Sequence, residues 1–530
     1  MNNRKLQVWL PLIFSLVMIA GMFYGFRLHQ QTGSPASFFK KERNTALQEA
    51  LDLINLKYVD KVHLDSLQAG AMQEMMSELD PHSVYIPALN LSEANEDIIG
   101  NFEGIGIEFN IFHDTVNVLY VVPDGPSDKA GLQVGDRILK VGDSLITNRQ
   151  LGSDQVKKLI RGDNGSSVNL VISRQNQLKN VSITRGRIPL PSLDAAYMID
   201  AVTGYIKLNK FSETTHEEFS SSLEELQAKG LKKLILDLRG NGGGLLIEAI
   251  DIADDFLDED KLIVYTEGEN VKRREYKARR DGLFEQGELV LLIDELAASA
   301  SEVLAGALQD WDRATIVGRR SFGKGLVQEQ YPLSDGSAIR LTVARYYTPL
   351  GRSIQRSYQN GKEVYMDELF ERYSSGQMLS PDSNRFIQGQ TYITKKGKKV
   401  YGGGGIMPDL FVPIDTSRLQ TNVTKLYLDG TFNNFVYQYY SQRLPFFAQY
   451  TSPADFVRRF DNIDDAWKEL VQFAKKDSIN LDNIPVADRF AIEQRLKAYL
   501  ARFRWRNQGF YEVLNANDPT IQKAINILSK

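Results

Sequence analysis

Residues 234–257 read LILDLRGNGGGLLIEAIDIADDFL, and this stretch decides the architecture expected at the centre of the chain. Leu234 to Leu238 is an apolar run with the length of a buried β-strand, and Leu245 to Leu257 is a helical run. The glycine-rich turn Gly240 to Gly244 joins them. A strand, a turn and a helix in succession are typical of a crossover unit on a parallel sheet.

The same alternation extends over residues 204–350. Leu289 to Ile293 and Thr315 to Val317 are further strand-like runs, and Ser299 to Asp310 is a further helical run. We therefore predict an α/β core in which crossover helices cover a largely parallel sheet.

The flanking regions have other patterns. Residues 104–185 predict short strands broken by turns, whereas residues 38–85 and the chain from about 416 onward have helical spacing. The polar stretch 357–400 is interpreted as a long loop or linker. The predicted strands of residues 104–185 are Val116 to Val122, Arg137 to Val141, Val168 to Ser173 and Val181 to Thr184.

Composition excludes several classes of protein. The 530 residues predict three or four domains at roughly 150 residues each, and 42% hydrophobic with 25% charged residues is ordinary globular usage. A formal charge of -4 gives no global basic field for nucleic acid. Without cysteine, disulfides, thiolate nucleophiles and thiolate metal sites are excluded, and the five histidines lack helical ligand spacing. A metal site built on thiolates or on an HExxH pair is therefore not expected.

The N-terminus predicts a compartment. Residues 8–26 carry no charge and are long enough to cross a bilayer as one helix, with Arg4 and Lys5 on the cytoplasmic side. A cleaved signal peptide is the alternative, but the apolar stretch is long for one and no A-x-A site follows. With either reading, the bulk of the chain lies outside the cytoplasm.

Candidate catalytic side chains follow two of the predicted strands. Ser299 and Ser301 lie where a buried strand turns into a helix, a position that suits a nucleophile, although a simple N-cap is the commoner role. Lys324, between two glycines, could act as a base if desolvation lowered its pKa, although most lysines are solvated surface groups. The sequence does not exclude a histidine from elsewhere in the chain.

Two glycine-rich segments could bind anions. The N–H groups of the turn Gly240 to Gly244 could stabilise an oxyanion, or the glycines could serve only a tight turn. Residues 318–325 almost match a phosphate-binding P-loop, but Gly325 occupies the position that needs Ser or Thr. Nucleotide binding is therefore disfavoured.

Ordered blocks of sequence over residues 204–355 resemble the carboxyl-terminal processing proteases, which are serine peptidases with a Ser/Lys dyad and an embedded PDZ domain. Stretches 79–86 and 401–409 also look like this family, so the resemblance covers roughly residues 40–415. The blocks are GYIKLNKF (204–211), LILDLRGNGGG (234–244), ASASEVLAGALQD (298–310), GRRSFGKGLVQ (318–328) and LTVARYYTPLGRSIQ (341–355).

The resemblance implies a role for each matched residue. Ser299 looks like the nucleophile, Lys324 like the general base and Gln328 like the group that orients the lysine. The oxyanion hole would use the backbone N–H of Ala300 and one N–H of the turn Gly242 to Gly244, with Gly243 as the first choice. The implied mechanism needs neither a metal nor a cofactor. The turn reads GNGGG where many relatives have proline in third place, which bears on turn rigidity more than on chemistry.

Residues 100–185 resemble the family's PDZ domain. Gly104, Ile105, Gly106 and Ile107 look like its carboxylate-binding loop, although alone they could form a plain strand with a bulge. Such a domain binds a protein C-terminus by strand addition at a sheet edge, with a side pocket for an apolar last residue.

The predicted fold is multidomain α/β, with a β-rich PDZ domain, helical N-terminal and C-terminal regions and one transmembrane helix. The family resemblance implies that the catalytic core is crotonase/ClpP-like. The expected function is a periplasmic, inner-membrane-anchored endopeptidase that acts on accessible protein C-termini, with a second copy or an adaptor as a further partner. An inactive PDZ scaffold or chaperone is the main alternative, and an acyl-CoA enzyme of the crotonase kind is a weaker one. The predicted domains are a cytoplasmic stub (1–7), an anchor (8–26), an N-terminal helical region (27–90), the PDZ domain (91–187), the protease core (188–415) and a C-terminal helical domain (416–530).

Overall fold

The structure is a computed structural model that describes residues 15, 17–22, 46–112, 114–147, 149–380, 389–414 and 421–529. Most of the predicted anchor, residues 8–26, lies outside these ranges. Within them, no helix has both the length and the apolar character needed to cross a membrane. The anchor therefore stays a prediction.

The chain divides into two compact units, with the boundary between Ala71 and Met72. Among the described residues, the strands in chain order are β1 (Val84–Ile86), β2 (Asn101–Gly104), β3 (Ile107–Phe112), β4 (Thr115–Val121), β5 (Arg137–Val141), β6 (Ser144–Leu145), β7 (Ser167–Arg174), β8 (Gln177–Thr184), β9 (Gly186–Pro189), β10 (Leu193–Met198), β11 (Thr203–Leu208), β12 (Lys233–Asp237), β13 (Leu262–Glu267), β14 (Arg274–Lys277), β15 (Glu288–Ile293), β16 (Thr315–Gly318), β17 (Leu326–Pro332), β18 (Ala338–Tyr347), β19 (Thr391–Ile393), β20 (Lys399–Tyr401) and β21 (Leu410–Phe411).

The helices of the described ranges are, in chain order, α1 (Ala46–Lys57), α2 (Leu64–Ser77), α3 (Ala88–Ile99), α4 (Pro126–Lys129), α5 (Ser153–Ile160), α6 (Thr215–Ala228), α7 (Leu246–Asp254), α8 (Ala300–Asp310), α9 (Lys362–Ser374), α10 (Thr421–Leu428), α11 (Thr431–Ser441), α12 (Leu444–Ala448), α13 (Pro453–Arg459), α14 (Ile463–Lys476), α15 (Val486–Asn515) and α16 (Pro519–Leu528).

The central sheet has the strand order β10-β11-β12-β15-β16-β21. Pairing is parallel from β11 to β21, and β10 alone runs antiparallel. The predicted parallel sheet with crossover helices is confirmed. Continuous apolar runs such as residues 234–236 arise because helices cover both faces, so that successive side chains are buried on opposite sides.

Different helices pack on the two faces of the central sheet. Leu234 and Leu236 pack in the cluster formed with α6, α7 and α8. Ile235, on the other face, packs with Ile521 and Leu528 of α16. The last helix therefore covers the central sheet, which differs from the single C-terminal helical domain predicted from the sequence.

A second sheet lies beside the first and is antiparallel throughout. Its order is β1-β18-β13-β14, with β17 also paired to β18. The register of β17 shifts between Val327 and Gln328. Such bulges re-aim side chains and are common beside active sites.

The predicted PDZ region forms an antiparallel sheet of order β3-β4-β5-β7-β8, with β6 paired to β5. Its strands confirm the four predicted for this region within a few residues at each end, the largest difference being β8, which begins at Gln177. The strand β3 lies at the edge of this sheet, as strand addition by a peptide requires.

The interpretation of residues 357–400 as a long loop was wrong in part, because α9 lies within it. Tyr365 and Arg372 of this helix are buried, and the guanidinium of Arg372 donates to the carbonyl of Ser321 at 2.8 Å. Polar composition misled here because the helix is anchored by a buried arginine rather than by a wide apolar stripe.

Candidate active site

Ser299 lies at the turn between β15 and α8. Its backbone has φ +56° and ψ −114°, a strained conformation for a residue with a side chain. Strain of this kind at a strand-to-helix turn presents a nucleophile at the start of a helix. The Ser299 side chain makes no cap hydrogen bond, whereas the buried Ser301 hydroxyl donates to the carbonyl of Asn241 at 2.9 Å.

Lys324 lies between β16 and β17 and points toward Gln328. Its Nζ donates to Gln328 Oε1 at 2.7 Å, and Gln328 Nε2 donates to the carbonyl of His82 at 2.6 Å. Burial lowers the pKa of Lys324, and the nearby positive charge of Arg340 lowers it further. The lysine is therefore not the freely solvated surface group that was the alternative.

A buried carboxylate joins the two residues. Oε2 of Glu302 accepts the backbone N–H of Ser299 and that of Lys324, both at 2.9 Å. Oε1 accepts the N–H of Gly323 at 2.7 Å and the hydroxyl of Ser321. Burial raises the pKa of Glu302, and these donors act in the opposite direction.

Tyr346 of β18 makes a second link between the same two residues. Its buried hydroxyl contacts the carbonyl oxygens of both Ser299, at 3.0 Å, and Lys324. Burial raises the pKa of Tyr346 well above its ordinary value, so the phenol stays protonated and can donate. Sequence reasoning missed both Glu302 and Tyr346.

Only Glu302 left a signal in the sequence. Ser299 and Glu302 match the S-x-x-E spacing of a capping box, in which the acid accepts the N–H of the cap residue. In this structure the Glu302 carboxylate does accept the N–H of Ser299.

The glycine turn lies directly against Ser299. Gly243 has φ +96°, and a Cβ there would come within 2.8 Å of the Ser299 Cβ and 3.0 Å of the Ala300 nitrogen. The N–H of Ala298 donates to the carbonyl of Asn241 at 3.0 Å, which ties the two loops together. The Gly243 N–H donates to Asn241 Oδ1 at 2.9 Å, so a role in an oxyanion hole requires that bond to be shared or released.

An ion-pair network holds the base of the same turn. Arg239 pairs with Asp237 at 2.7 Å and with Asp518, the N-cap of α16, at 2.8 Å. Burial alone would raise the pKa of Asp237, but the charges of Arg239 and Lys207 hold it well below its usual range. The last helix of the chain thus braces the turn through an ion pair.

Both candidate catalytic residues open onto one cleft of about 520 Å³. Its lining combines polar groups with apolar side chains from α7 and β17. Residues on its wall include Gly242, Gly244, Leu246, Ser299, Ala300, Lys324, Leu326 and Gln328.

The described histidines of the unit Met72–Lys530 lie outside the cleft that Ser299 and Lys324 line. His82 and His216 do not line the cleft. Burial and then the Lys324 charge lower the pKa of His82 to about 4, and its Nε2 lies 2.8 Å from the Tyr365 hydroxyl. His216 pairs with Asp255 at 2.9 Å.

The predicted carboxylate-binding loop connects β2 to β3. Gly104 ends β2, Ile107 begins β3, and Gly106 has φ +75°. The loop is therefore not a plain strand. Ile105, Gly106 and Ile107 line a cleft of about 400 Å³ between β3 and α5.

Comparison with known proteins identifies the family. Residues 202–362 match Peptidase family S41, 118–174 a PDZ domain, 19–88 the N-terminal domain of the activating protease CtpB, and 422–506 a family of unknown function, DUF8443.

Three relatives are similar over most of their length. A probable CtpA-like serine protease of Staphylococcus epidermidis is 32% identical over 77% of this chain and 80% of its own. The carboxy-terminal-processing protease of Bartonella bacilliformis is 33% identical over 74% and 91%. The carboxy-terminal processing protease CtpB of Bacillus subtilis is 34% identical over 67% and 76%.

The core and the PDZ domain define a serine-type peptidase of mixed α/β architecture. The chain belongs to the carboxy-terminal processing proteases of peptidase family S41. The resemblance inferred from the sequence blocks is confirmed.

Proposed function

We propose that the protein is an endopeptidase in which Ser299 is the nucleophile and Lys324 the general base. The observation that carries the proposal is the common anchoring of these residues, because Glu302 Oε2 accepts the N–H of both. The strained φ of Ser299 and the lowered pKa of Lys324 support the two roles separately.

Lys324 is the base because a lowered pKa increases its neutral fraction near pH 7. The neutral Nζ takes the proton of the Ser299 hydroxyl as Oγ attacks the peptide carbonyl. Gln328 Oε1 orients the amine through the 2.7 Å hydrogen bond.

The oxyanion forms beside the start of α8. There the Ala300 N–H and the glycine turn, with Gly243 as the second donor, stabilise its negative charge. The protonated lysine then gives its proton to the leaving amine, and the released lysine activates water to hydrolyse the acyl-enzyme.

We further propose that substrates are held by their C-termini in the PDZ cleft and that the enzyme acts in the periplasm. An edge strand next to the loop Gly104 to Ile107 suits the binding of a terminal carboxylate. The uncharged stretch 8–26, with Arg4 and Lys5 before it, supports an inner-membrane anchor with the catalytic part outside the cytoplasm.

The test uses the full-length chain in mild detergent with an unfolded protein substrate that ends in apolar residues, and mass spectrometry of the products. Ser299→Ala and Lys324→Ala should each abolish cleavage while retaining binding of the substrate tail. Ser221→Ala and Lys229→Ala, at exposed positions of α6 and its C-cap, are matched controls that should cleave like the wild type.

Cleavage that persists in Ser299→Ala would refute the assignment of the nucleophile. Binding of the tail without cleavage by the wild type would instead favour the inactive scaffold.

A further inference from the structure

The cleft beside the edge strand of the PDZ domain has a wall that the PDZ domain does not supply. Two walls are β3 and α5, which contribute residues such as Ile107 and Lys157. The third includes Arg502 of α15, in the C-terminal region that matches the family of unknown function.

Glu108 of β3 is the residue through which α15 reaches the cleft. Arg502 lies 3.4 Å from Glu108 Oε2, and Arg506 contacts Glu108 Oε1. The Arg506 guanidinium also lies 3.4 Å from the centre of the Tyr120 ring of β4.

A break in α15 lies at this double contact. Trp505 and Arg506 leave the helical conformation, and Arg506 has φ +59°. An unbroken helix would also place side chains four apart on one face, so the break changes only the direction in which Arg506 leaves the helix. Strain at a residue that holds two domains together is of the kind retained for function.

The charges of this contact do not cancel. Two guanidinium groups, Arg502 and Arg506, share the single carboxylate of Glu108. The other cations of the cleft have their own partners, since Lys157 pairs with Asp154, and Arg161 pairs with both Glu96, at 2.9 Å, and Glu93, at 3.9 Å. The excess of positive charge is therefore local to the contact of the two arginines with Glu108, and Arg502 is the arginine of that contact that lines the cleft.

A peptide added to β3 brings a defined position close to this charge. With its terminal carboxylate at the loop Gly104 to Ile107 and its last side chain in the apolar pocket, its preceding residue lies level with the start of β3. Glu108 is the second residue of β3, so the penultimate residue of the peptide is the one nearest Arg502.

We propose that the C-terminal helical domain completes the peptide-binding cleft of the PDZ domain, and that Arg502 makes this cleft prefer ligands with an acidic penultimate residue. The inference rests on the proposed binding of C-termini by the PDZ domain and adds to it a specificity residue from another domain. Because Arg502 is half-buried, the preference for aspartate over asparagine should be about threefold in affinity, in the range of a partly screened ion pair.

The test measures fluorescence anisotropy of labelled decapeptides on the full-length chain carrying Ser299→Ala, so that the probes are not cut. The probes differ only in ending Asp-Val, Asn-Val or Lys-Val, each with a free carboxylate. We expect the order Asp-Val, Asn-Val, Lys-Val from tightest to weakest, with a smaller spread at high salt.

Two substitutions should move this preference in opposite directions. Arg502→Gln should bring the Asp-Val to Asn-Val ratio to about one, whereas Glu108→Gln, which removes the competing carboxylate, should raise it above the wild-type ratio. Lys497→Gln is the matched control, because it removes a cation of the same helix that does not line the cleft, and its ratio should match the wild type.

Equal binding of the three probes by the wild type, or a ratio unchanged in both Arg502→Gln and Glu108→Gln, would overturn the inference while leaving C-terminal binding in place. Failure of every probe to bind would overturn both the inference and the proposed role of the PDZ domain.

Discussion

Replacing Gly243 by alanine should disable the active site through backbone geometry. The added Cβ would lie 2.7 Å from the Ala298 carbonyl oxygen and 2.8 Å from the Ser299 Cβ. Neither neighbour can retreat easily, because the hydrogen bond from Ala298 to Asn241 ties the loops together. The positive φ costs about 1–2 kcal/mol for a residue with a side chain, and overpacking costs about 1–3 kcal/mol more.

Gly243→Ala should thus destabilise this region by about 2–5 kcal/mol, the sum of those two costs. Turnover should fall about a hundredfold, since a shift of the nucleophile by about 1 Å is enough for that. Alanine substitutions at two neighbouring glycines separate the effect of the steric clash from the effect of the positive φ. A Cβ at Gly242 meets no atom within 4 Å, and one at Gly240 meets none either but adds the cost of φ +71°.

The assay is hydrogen exchange on peptides spanning residues 234–257 and 294–310, with turnover measured on the same samples. Opening free energies should fall in the order wild type, Gly242→Ala, Gly240→Ala, Gly243→Ala. The reasoning is refuted if Gly243→Ala is as well protected and as active as Gly242→Ala.

Three other perturbations test the site and its support. Cleavage should increase with pH as Lys324 deprotonates, with a midpoint below the ordinary lysine pKa, and Arg340→Gln should move the midpoint upward because it removes a charge that lowers that pKa. Glu302→Gln should lower the free energy of unfolding, measured with heat or urea, by about 1–3 kcal/mol, because an amide group would face buried N–H donors. Turnover should fall as well. Unchanged turnover would mean that the carboxylate does not position the dyad. Ile521→Ala should destabilise the core by about 2–5 kcal/mol because Ile521 is buried against the central sheet, whereas the exposed Lys523→Ala should melt like the wild type.

Much of the fold could be predicted from local pattern. The strands of the core were visible because a sheet covered on both faces needs continuous apolar runs such as residues 234–236. The sequence did not predict that α16 packs on one face of the central sheet. This helix lies far along the chain from β12, and its helical spacing alone does not indicate which surface it buries. The helix α9 was missed because a buried arginine anchors it, and hydrophobic periodicity does not register such a residue.

The candidate site, like the fold, could be predicted only in part. The resemblance pointed to Ser299 and Lys324, but it did not reveal how two residues from different loops are held together. That information lies in Glu302, whose spacing from Ser299 looks like ordinary helix capping. In a simple capping box the serine hydroxyl would accept a helix N–H, whereas here the Ser299 side chain makes no cap hydrogen bond.

The Glu302 carboxylate also accepts a hydrogen bond from the backbone N–H of Lys324. A spacing that normally stabilises one helix end therefore positions two loops, and only the folded chain distinguishes the two uses. The contact of Arg502 with Glu108 is further from prediction still, because 394 residues separate them along the chain and neither belongs to a recognisable motif.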